Sequence, residues 1–446
     1  MRIIYSLLLY LLTPFVLLRL VWRGFHAPGY WRRWGERFGF IPEITGEAPI
    51  WVHAVSVGEV QAAVPLLKAL LKRYPNTPLL VTTTTPTGAE QVRGLFEGQM
   101  QHRYMPYDLP DAVRRFLARA RPRLVLIMET EIWPNLYRAC ARRAIPVLLI
   151  NARLSERSAA GYRRLGSLTA ATLDCLHVVA AQGRADADRL MAVGAAPERV
   201  RVTGSIKFDM KIPASLVEQA AVLRRDWGLQ RPVWIAASTH EGEDEWALEA
   251  HRSIRARFPD ALLVLVPRHP ERFARVVALC RDQGWTTVLR SEQRATAADT
   301  AVFVGDSMGE LLLFFAAADV AFIGGSLIPH GGHNPLEAAA QRVPVLFGPH
   351  MFNFAEIARL LLTAGAAREV GDSGQLADSV VHWFADPAAR NTAGERGIAV
   401  VEANKGARDA VLGMVAEALD AAGRSTDFAK NKFNREGREG ARRKPG

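Results

Sequence analysis

Cysteine is scarce in this 446-residue chain: Cys140, Cys175 and Cys280 are all there is, far apart and odd in number. That supply builds neither a disulfide framework nor a paired-cysteine metal knuckle, and it fits a reducing compartment such as the cytoplasm. Several chemical signatures are missing as well. There is no G-x-x-x-x-G-K-S/T, no H-E-x-x-H, and no strong G-x-G-x-x-G after a first strand, so the sequence offers no basis for a P-loop or a zincin site. Asp186-Ala-Asp188 spells the D-x-D of metal-dependent sugar transferases. It falls within a helical pattern over 182–193, however, where positions i and i+2 splay apart. No short-period repeat of the solenoid kind appears. Acidic residues are also in deficit: 45 against 56 Lys and Arg give a formal net charge of +11. Such a balance points to an anionic partner, either nucleic acid or an acidic, phosphorylated membrane surface.

The amino terminus decides for the membrane. Residues 3–22 (IIYSLLLYLLTPFVLLRLVW) form an apolar run long enough to cross about 30 Å of hydrocarbon as a helix. No small-x-small cleavage site follows it, which argues against a removed signal peptide. The next residues, from Trp22-Arg23 to Tyr30-Trp31-Arg32-Arg33-Trp34, mix aromatics with arginines as an interfacial belt does. By the positive-inside rule they put the body of the protein on the cytoplasmic side. A single-pass anchor over 1–22 with an interfacial segment over 23–48 is therefore expected. Pro14 and Arg19 weaken the span and leave a monotopic insertion as the rival.

At this length two domains are expected. From Pro49 onward short β-rich runs alternate with helical patterns, the signature of an α/β fold with parallel sheets. Expected strands at 50–55, 79–83, 124–128, 146–150, 177–180 and 200–203 make a first Rossmann-like domain over 49–212. A connecting helix occupies 213–230. Strands at 233–237, 262–266, 301–304, 320–323 and 345–347 make a second domain over 231–421, with a cleft between the two. The tail 422–446 is basic, without apolar periodicity, and expected to be disordered.

Polar motifs sit at the loop tips, where ligands of open α/β sheets bind. The glycine-rich stretch 324–337 leaves an apolar run and enters a helical pattern at Pro335, which suits the first turn of a helix. Glycines there allow close backbone approach, and free amides at the helix start favour a phosphate. Glu337 in that turn can take two ribose hydroxyls. Ser56-Val-Gly-Glu59 reads either as a capping box, with Glu59 reaching back to the Ser56 amide, or as a general base kept ionised by the helix dipole. Glu129 and Glu131 end another strand, and one of them can oppose positive charge growing on a sugar ring. Between these two the residues alone do not choose. Lys207 in Gly204–Asp209 can meet a leaving phosphate as a point charge. Pro267-Arg268 suits a phosphate, and Gly305–Glu310 offers amides to a base or phosphate.

Taken together, WVHAVSVGEVQAA, METEIWPN, GSIKFD, VPRHPERF, GDSMGEL and GGSLIPHGGHNPLEAA, in that order behind an apolar amino terminus, resemble the 3-deoxy-D-manno-octulosonic acid (Kdo) transferases of Gram-negative bacteria. The resemblance covers nearly the whole chain apart from the basic tail. It implies a GT-B glycosyltransferase that moves Kdo from CMP-Kdo to the lipid A precursor lipid IVA at the bacterial inner membrane, with inversion and without metal or cofactor. It further implies Glu59 as the base, with Glu129 and Lys207 stabilising the transition state. CMP would be held by Pro267, Arg268, Met308, Gly309, Glu310, Asn334, Pro335, Leu336 and Glu337. The choice of Glu129 over Glu131 comes from the resemblance alone. No nucleic acid is expected as a partner. The alternative is another membrane-associated GT-B transferase using a UDP-sugar and a lipid acceptor; a GT-B sugar-nucleotide epimerase and an inactive membrane scaffold stand further off.

Overall fold

A computed structural model describes residues 1–210 and 212–421. The chain divides into two compact units, residues 1–210 together with the chain from 405, and residues 211–404. The tail 422–446 lies outside the described residues.

The first unit is built on seven parallel strands: β1 (Ile50–His53), β2 (Leu79–Thr83), β3 (Gln101–Tyr104), β4 (Leu124–Met128), β5 (Val147–Ala152), β6 (Val178–Ala181) and β7 (Val200–Val202). Their order across the sheet is β3-β2-β1-β4-β5-β6-β7. Central strands of a parallel sheet are covered on both faces and so read as unbroken apolar runs. In β1 and β4 the side chains alternate accordingly. Ile50, Val52, Leu124 and Leu126 enter one core, with Val60, Leu66 and Leu67 of the helix Val57–Arg73. Trp51, Val125 and Ile127 enter the opposite core with Phe116, Leu136 and Tyr137. Trp51 is fully buried, and its indole N–H donates to Thr82 Oγ1 at 2.8 Å, which satisfies its one polar atom.

The second unit repeats the plan with β8 (Val233–Thr239), β9 (Leu262–Pro267), β10 (Thr287–Leu289), β11 (Val302–Val304), β12 (Val320–Ile323), β13 (Val345–Phe347) and β14 (Ala367–Glu369). Its order is β10-β11-β9-β8-β12-β13-β14. The helix Leu216–Trp227, expected as a connector, belongs to this unit. It buries Leu216, Ala220, Leu223 and Trp227, and Arg224 fixes it through Asp319 at 2.9 Å.

Two expectations about extent are corrected. Helix 407–421, expected in the second domain, belongs to the first, where Ala407, Val411, Val415 and Leu419 complete a core. An amphipathic stripe specifies a face but not which unit it covers; here Asp209 decides. Its two carboxylate oxygens accept the Gly406 and Arg408 amides at 2.8 and 2.7 Å, capping the helix start. The segment 23–48, expected at the membrane interface, is in part built into the first unit. Arg37 is 3% exposed, donating to the Thr84 carbonyl at 2.9 Å and lying over the Tyr104 ring, while Ile41 and Ile44 are core residues.

Candidate functional site

Each sheet has a point where chain direction across it reverses, and such switch points leave a crevice at the carboxyl ends of the strands. In the first sheet the chain moves from β1 to β2 on one side and to β4 on the other. Glu59 follows β1 and Glu129 follows β4, so both acids flank this point. In the second sheet the switch lies between β8 and β12, which puts the glycine-rich loop after β12 at the corresponding place.

Glu59 lies in the first turn of the helix Val57–Arg73, and its carboxylate accepts the Val55 amide at 2.8 Å. Ser56 provides no side-chain cap, so the expected capping box is only half formed and shifted by one residue. The expectation that the helix dipole keeps Glu59 ionised is overturned. Burial pushes its carboxyl from about 4.5 to about 8, with the charges of Glu129 and Glu131 adding to the rise and the Val55 bond and Arg153 opposing it. Desolvation outweighs a helix end here.

Glu129 is 9% exposed and has a φ of +55°, a left-handed conformation that a non-glycine residue adopts only under local constraint. The kink turns its carboxylate to two cations, Arg153 Nε at 2.9 Å and Lys207 Nζ at 3.6 Å. Lys207 stands on the short turn Ile206–Asp209 after β7, and burial lowers its ammonium while Glu129 partly restores it. Glu131 diverges from Glu129. Its carboxyl is pushed up to about 7, chiefly by burial, and its Oε2 is 4.0 Å from His53 Nε2. His53, fully buried on β1, is held down to about 4 by desolvation and is neutral at physiological pH. Glu59, Glu129 and Lys207 thus form one electrostatically linked group with Glu131, the alternative left open beside Glu129, and with Arg153 and His53, to which the sequence had assigned no role. Arg153, just past β5, had a signal available, being a lone cation at a strand tip.

In the second unit the glycine-rich loop is arranged differently from expectation. Pro335 precedes a single helical turn, Leu336–Ala339, and not a long helix. Three loop amides, Gly325, Ser326 and Leu327, already donate to the carboxylate of Glu243 at 2.6, 3.0 and 3.1 Å, so these amides are not the phosphate seat. Glu243 is completely buried and also accepts the His240 amide at 3.0 Å. A carboxylate among several N–H donors fixes the loop tightly. Its segment Thr239–Glu243 ends a strand with polar residues, the same pattern read as meaningful elsewhere.

What the loop presents instead is a set of imidazoles and one arginine. His240 stacks on His333, their Nε2 atoms 2.9 Å apart, and its ring lies 4.1 Å from that of His330 and 5.4 Å from that of His269. Burial, with Arg268 adding to it, lowers His240 to about 4 and His333 to about 3. Arg272 is committed to Asp244, whereas Arg268 pairs with no carboxylate among the described residues. Arg268 is close enough to Glu337 to oppose the rise that burial imposes on that carboxyl. Glu337 Oε1 accepts from Asn334 Nδ2 at 3.2 Å, and Asn334 Oδ1 accepts the Leu336 amide at 3.2 Å. Leu336, Pro335 and Pro267 are buried and shape the turn from beneath.

Met308, Gly309 and Glu310 form the turn after β11. Glu310 makes a two-pronged pair with Arg290 at 2.7–3.1 Å and accepts Ser307 Oγ at 2.5 Å, so its carboxylate is already engaged. Met308 and Gly309 are exposed, the latter at φ +85°. The D-x-D pair separates as helical spacing requires: Asp186 accepts the Leu154 amide at 2.9 Å, while Asp188 pairs with Arg184 at 3.0 Å.

Residues 32–210 match the family model described as 3-deoxy-D-manno-octulosonic-acid transferase (kdotransferase). The chain is 39% identical to the 3-deoxy-D-manno-octulosonic acid transferase of Haemophilus influenzae, over 94% of this chain and 99% of that one. It is also 39% identical to the transferase of the same name from Bordetella pertussis, over 91% and 96%. Among solved structures, UDP-GlcNAc 2-epimerase from Neisseria meningitidis bound to UDP-GlcNAc shares the fold. Its TM-score is 0.56 at 15% identity, covering 83% of this chain and all of that one. Two Rossmann-like units of GT-B type behind an apolar amino-terminal helix make up the fold, and the chain belongs to the Kdo transferase family of glycosyltransferases.

Proposed function

We propose that this enzyme transfers Kdo from CMP-Kdo to lipid IVA, in lipopolysaccharide core biosynthesis, with inversion at the anomeric carbon. The observation that carries the reading is Glu59: a carboxyl with a value of about 8 beside a Glu129–Lys207 pair. A base works best when its affinity for protons lies near the working pH. Glu59 takes the proton of the acceptor hydroxyl as that oxygen bonds to the anomeric carbon. The bond from that carbon to the phosphate oxygen breaks, and its electron pair leaves with CMP. Glu129 opposes the positive charge that develops on the sugar ring, and Lys207 the negative charge on the departing phosphate. A nucleoside monophosphate carries less charge than a diphosphate, which lowers the demand for a metal ion.

The cytidylate is assigned to the second unit. Arg268 takes the phosphate, Glu337 and Asn334 take ribose hydroxyls, and the surface turn Met308-Gly309-Glu310 takes the base. Pro267, Pro335 and Leu336 set the shape of this seat. We assign the protein to the inner membrane, with the catalytic units on the cytoplasmic side, a reading that the apolar amino-terminal helix supports and that brings a phosphorylated lipid acceptor within reach.

Donor competition tests the reading. With lipid IVA present and CMP-Kdo and a UDP-sugar supplied together, CMP-Kdo alone should be consumed. Arg268→Ala and Glu337→Ala should each raise the CMP dissociation constant about tenfold or more. Consumption of the UDP-sugar alone contradicts the assignment.

A further inference from the structure

The apolar amino-terminal helix, Arg2–His26, is tied to the first unit through its first turns and packs near its end on the turn Pro28–Trp31 that follows it. At about 1.5 Å per residue it is roughly 37 Å long, enough to cross a bilayer. Its burial pattern is not that of a free span. Tyr5, Leu9, Thr13, Val16, Leu20 and Gly24, spaced by three or four residues, are the turned-in positions, with Leu20 and Gly24 buried outright. Ile3, Leu7, Leu11, Phe15, Leu18 and Trp22 lie on the other side, each 62–73% exposed. One face of the helix belongs to the protein and the opposite face is a continuous apolar stripe.

Both ends are fastened. Near the start, Tyr5 Oη donates to Asp108 at 3.1 Å, Asn135 Nδ2 donates to Ser6 Oγ at 3.0 Å, and Tyr10 Oη donates to Asp111 at 2.6 Å. Asp108 is itself 3% exposed and holds the Asn135 and Leu136 amides at 2.8 Å. Near the end, Trp31 Nε1 donates to the Val21 carbonyl at 3.0 Å, and the Trp31 ring fills the space where a Gly24 Cβ would stand. A helix crossing the bilayer would either break the contacts at Tyr5, Ser6 and Tyr10 or draw Asp108 and Asp111 into hydrocarbon. Either is costly.

Beside the amino-terminal end of the helix is a cavity of about 470 Å³ lined by five arginines, Arg2, Arg114, Arg138, Arg142 and Arg143. The one carboxylate on its wall, Asp111, is held by Arg115 at 2.5 Å and by Tyr10. Concentrated guanidinium groups next to an apolar stripe match the layered chemistry of a membrane surface, phosphate above acyl chain.

We propose that this helix lies in the plane of one membrane leaflet, its outward stripe among the acyl chains, and that the arginine-lined cavity takes the phosphate of an anionic lipid headgroup. The anchor is then monotopic, and the single span that length and hydropathy favour is not formed. Independently of which sugar is moved, this fixes how the first unit faces the membrane.

Nitroxide depth measurement on the full-length chain tests the proposal. Ile3→Cys, Leu7→Cys, Leu11→Cys, Phe15→Cys, Leu18→Cys and Trp22→Cys, each alone in a Cys175→Ser background, put labels on exposed positions, and Cys140 and Cys280 are buried. In phosphatidylethanolamine–phosphatidylglycerol vesicles the six labels should report one shared depth within one leaflet. A depth greatest at position 11 and lost at positions 3 and 22 would show a span and overturn the proposal. So would labels open to aqueous quencher throughout. Replacing Arg138, Arg142 and Arg143 together by Gln should weaken binding to phosphatidylglycerol vesicles by roughly ten- to a hundredfold, with little change on phosphatidylcholine. Unchanged phosphatidylglycerol binding overturns the headgroup site.

Discussion

Replacing Glu59 by Gln separates catalysis from stability in a way a merely structural glutamate would not. The Gln carbonyl can still accept the Val55 amide, so the helix start is retained, but the base is gone. General bases contribute about 10²–10⁴-fold, and a loss of that size in kcat is expected, with donor affinity little altered. Stability should move in the opposite direction. Glu59 rises from about 4.5 to about 8 on folding, so between these values the folded chain binds a proton that the unfolded chain has released. Native stability therefore falls as pH climbs through this window, and the deficit is full above about pH 8. Gln carries no such deficit. Glu59→Gln should match the parent near pH 4.5, gain on it steadily, and lead by a constant few kcal/mol above about pH 8. The same ionisation sets the rate: at pH 7 only about a tenth of Glu59 is charged, so kcat/KM of the parent should rise about fivefold by pH 8 and roughly tenfold in all, levelling above about pH 9. Denaturant unfolding across pH, beside the pH–rate profile, reads both. A variant of unchanged activity, or one whose stability tracks the parent at every pH, refutes the reasoning.

Lys207→Met should lower kcat about 10²–10³-fold while CMP affinity, assigned to the other unit, stays within twofold or so; steady-state kinetics with CMP titration checks this. Glu243→Ala strands the Gly325, Ser326 and Leu327 amides in the interior, so it should cost roughly 3–5 kcal/mol in urea unfolding and weaken CMP binding with it. Asp209→Ala removes the cap on Gly406 and Arg408, and amide hydrogen exchange over 407–421 should accelerate by about tenfold, the equivalent of ~1–2 kcal/mol. Unchanged exchange there would mean that core packing alone holds the helix.

The edges show where sequence reasoning runs short. Central strands such as β4 and β8 are long apolar runs because both faces are covered, and they can be read directly. The unanticipated β3, β10 and β14 are all at sheet edges or, in the case of β3, as polar as Gln-His-Arg-Tyr, so they carry no such run. Strand tips bearing polar motifs were legible for the same reason as the strands. Their internal wiring was not. Whether Glu59 is charged depends on desolvation by residues distant in the chain, and whether loop amides are free depends on Glu243, more than 80 positions before them. The glycine-rich stretch announces a tight backbone; it does not announce that a buried carboxylate has already taken its amides.

Mass analysis of lipid IVA incubated with the purified full-length chain and CMP-Kdo tests the central claim most directly. The account predicts a lipid heavier by whole Kdo units, one CMP released for each, and no such product from Glu59→Gln. Lipid of unchanged mass while CMP-Kdo remains intact, or the same product formed undiminished by Glu59→Gln, contradicts it.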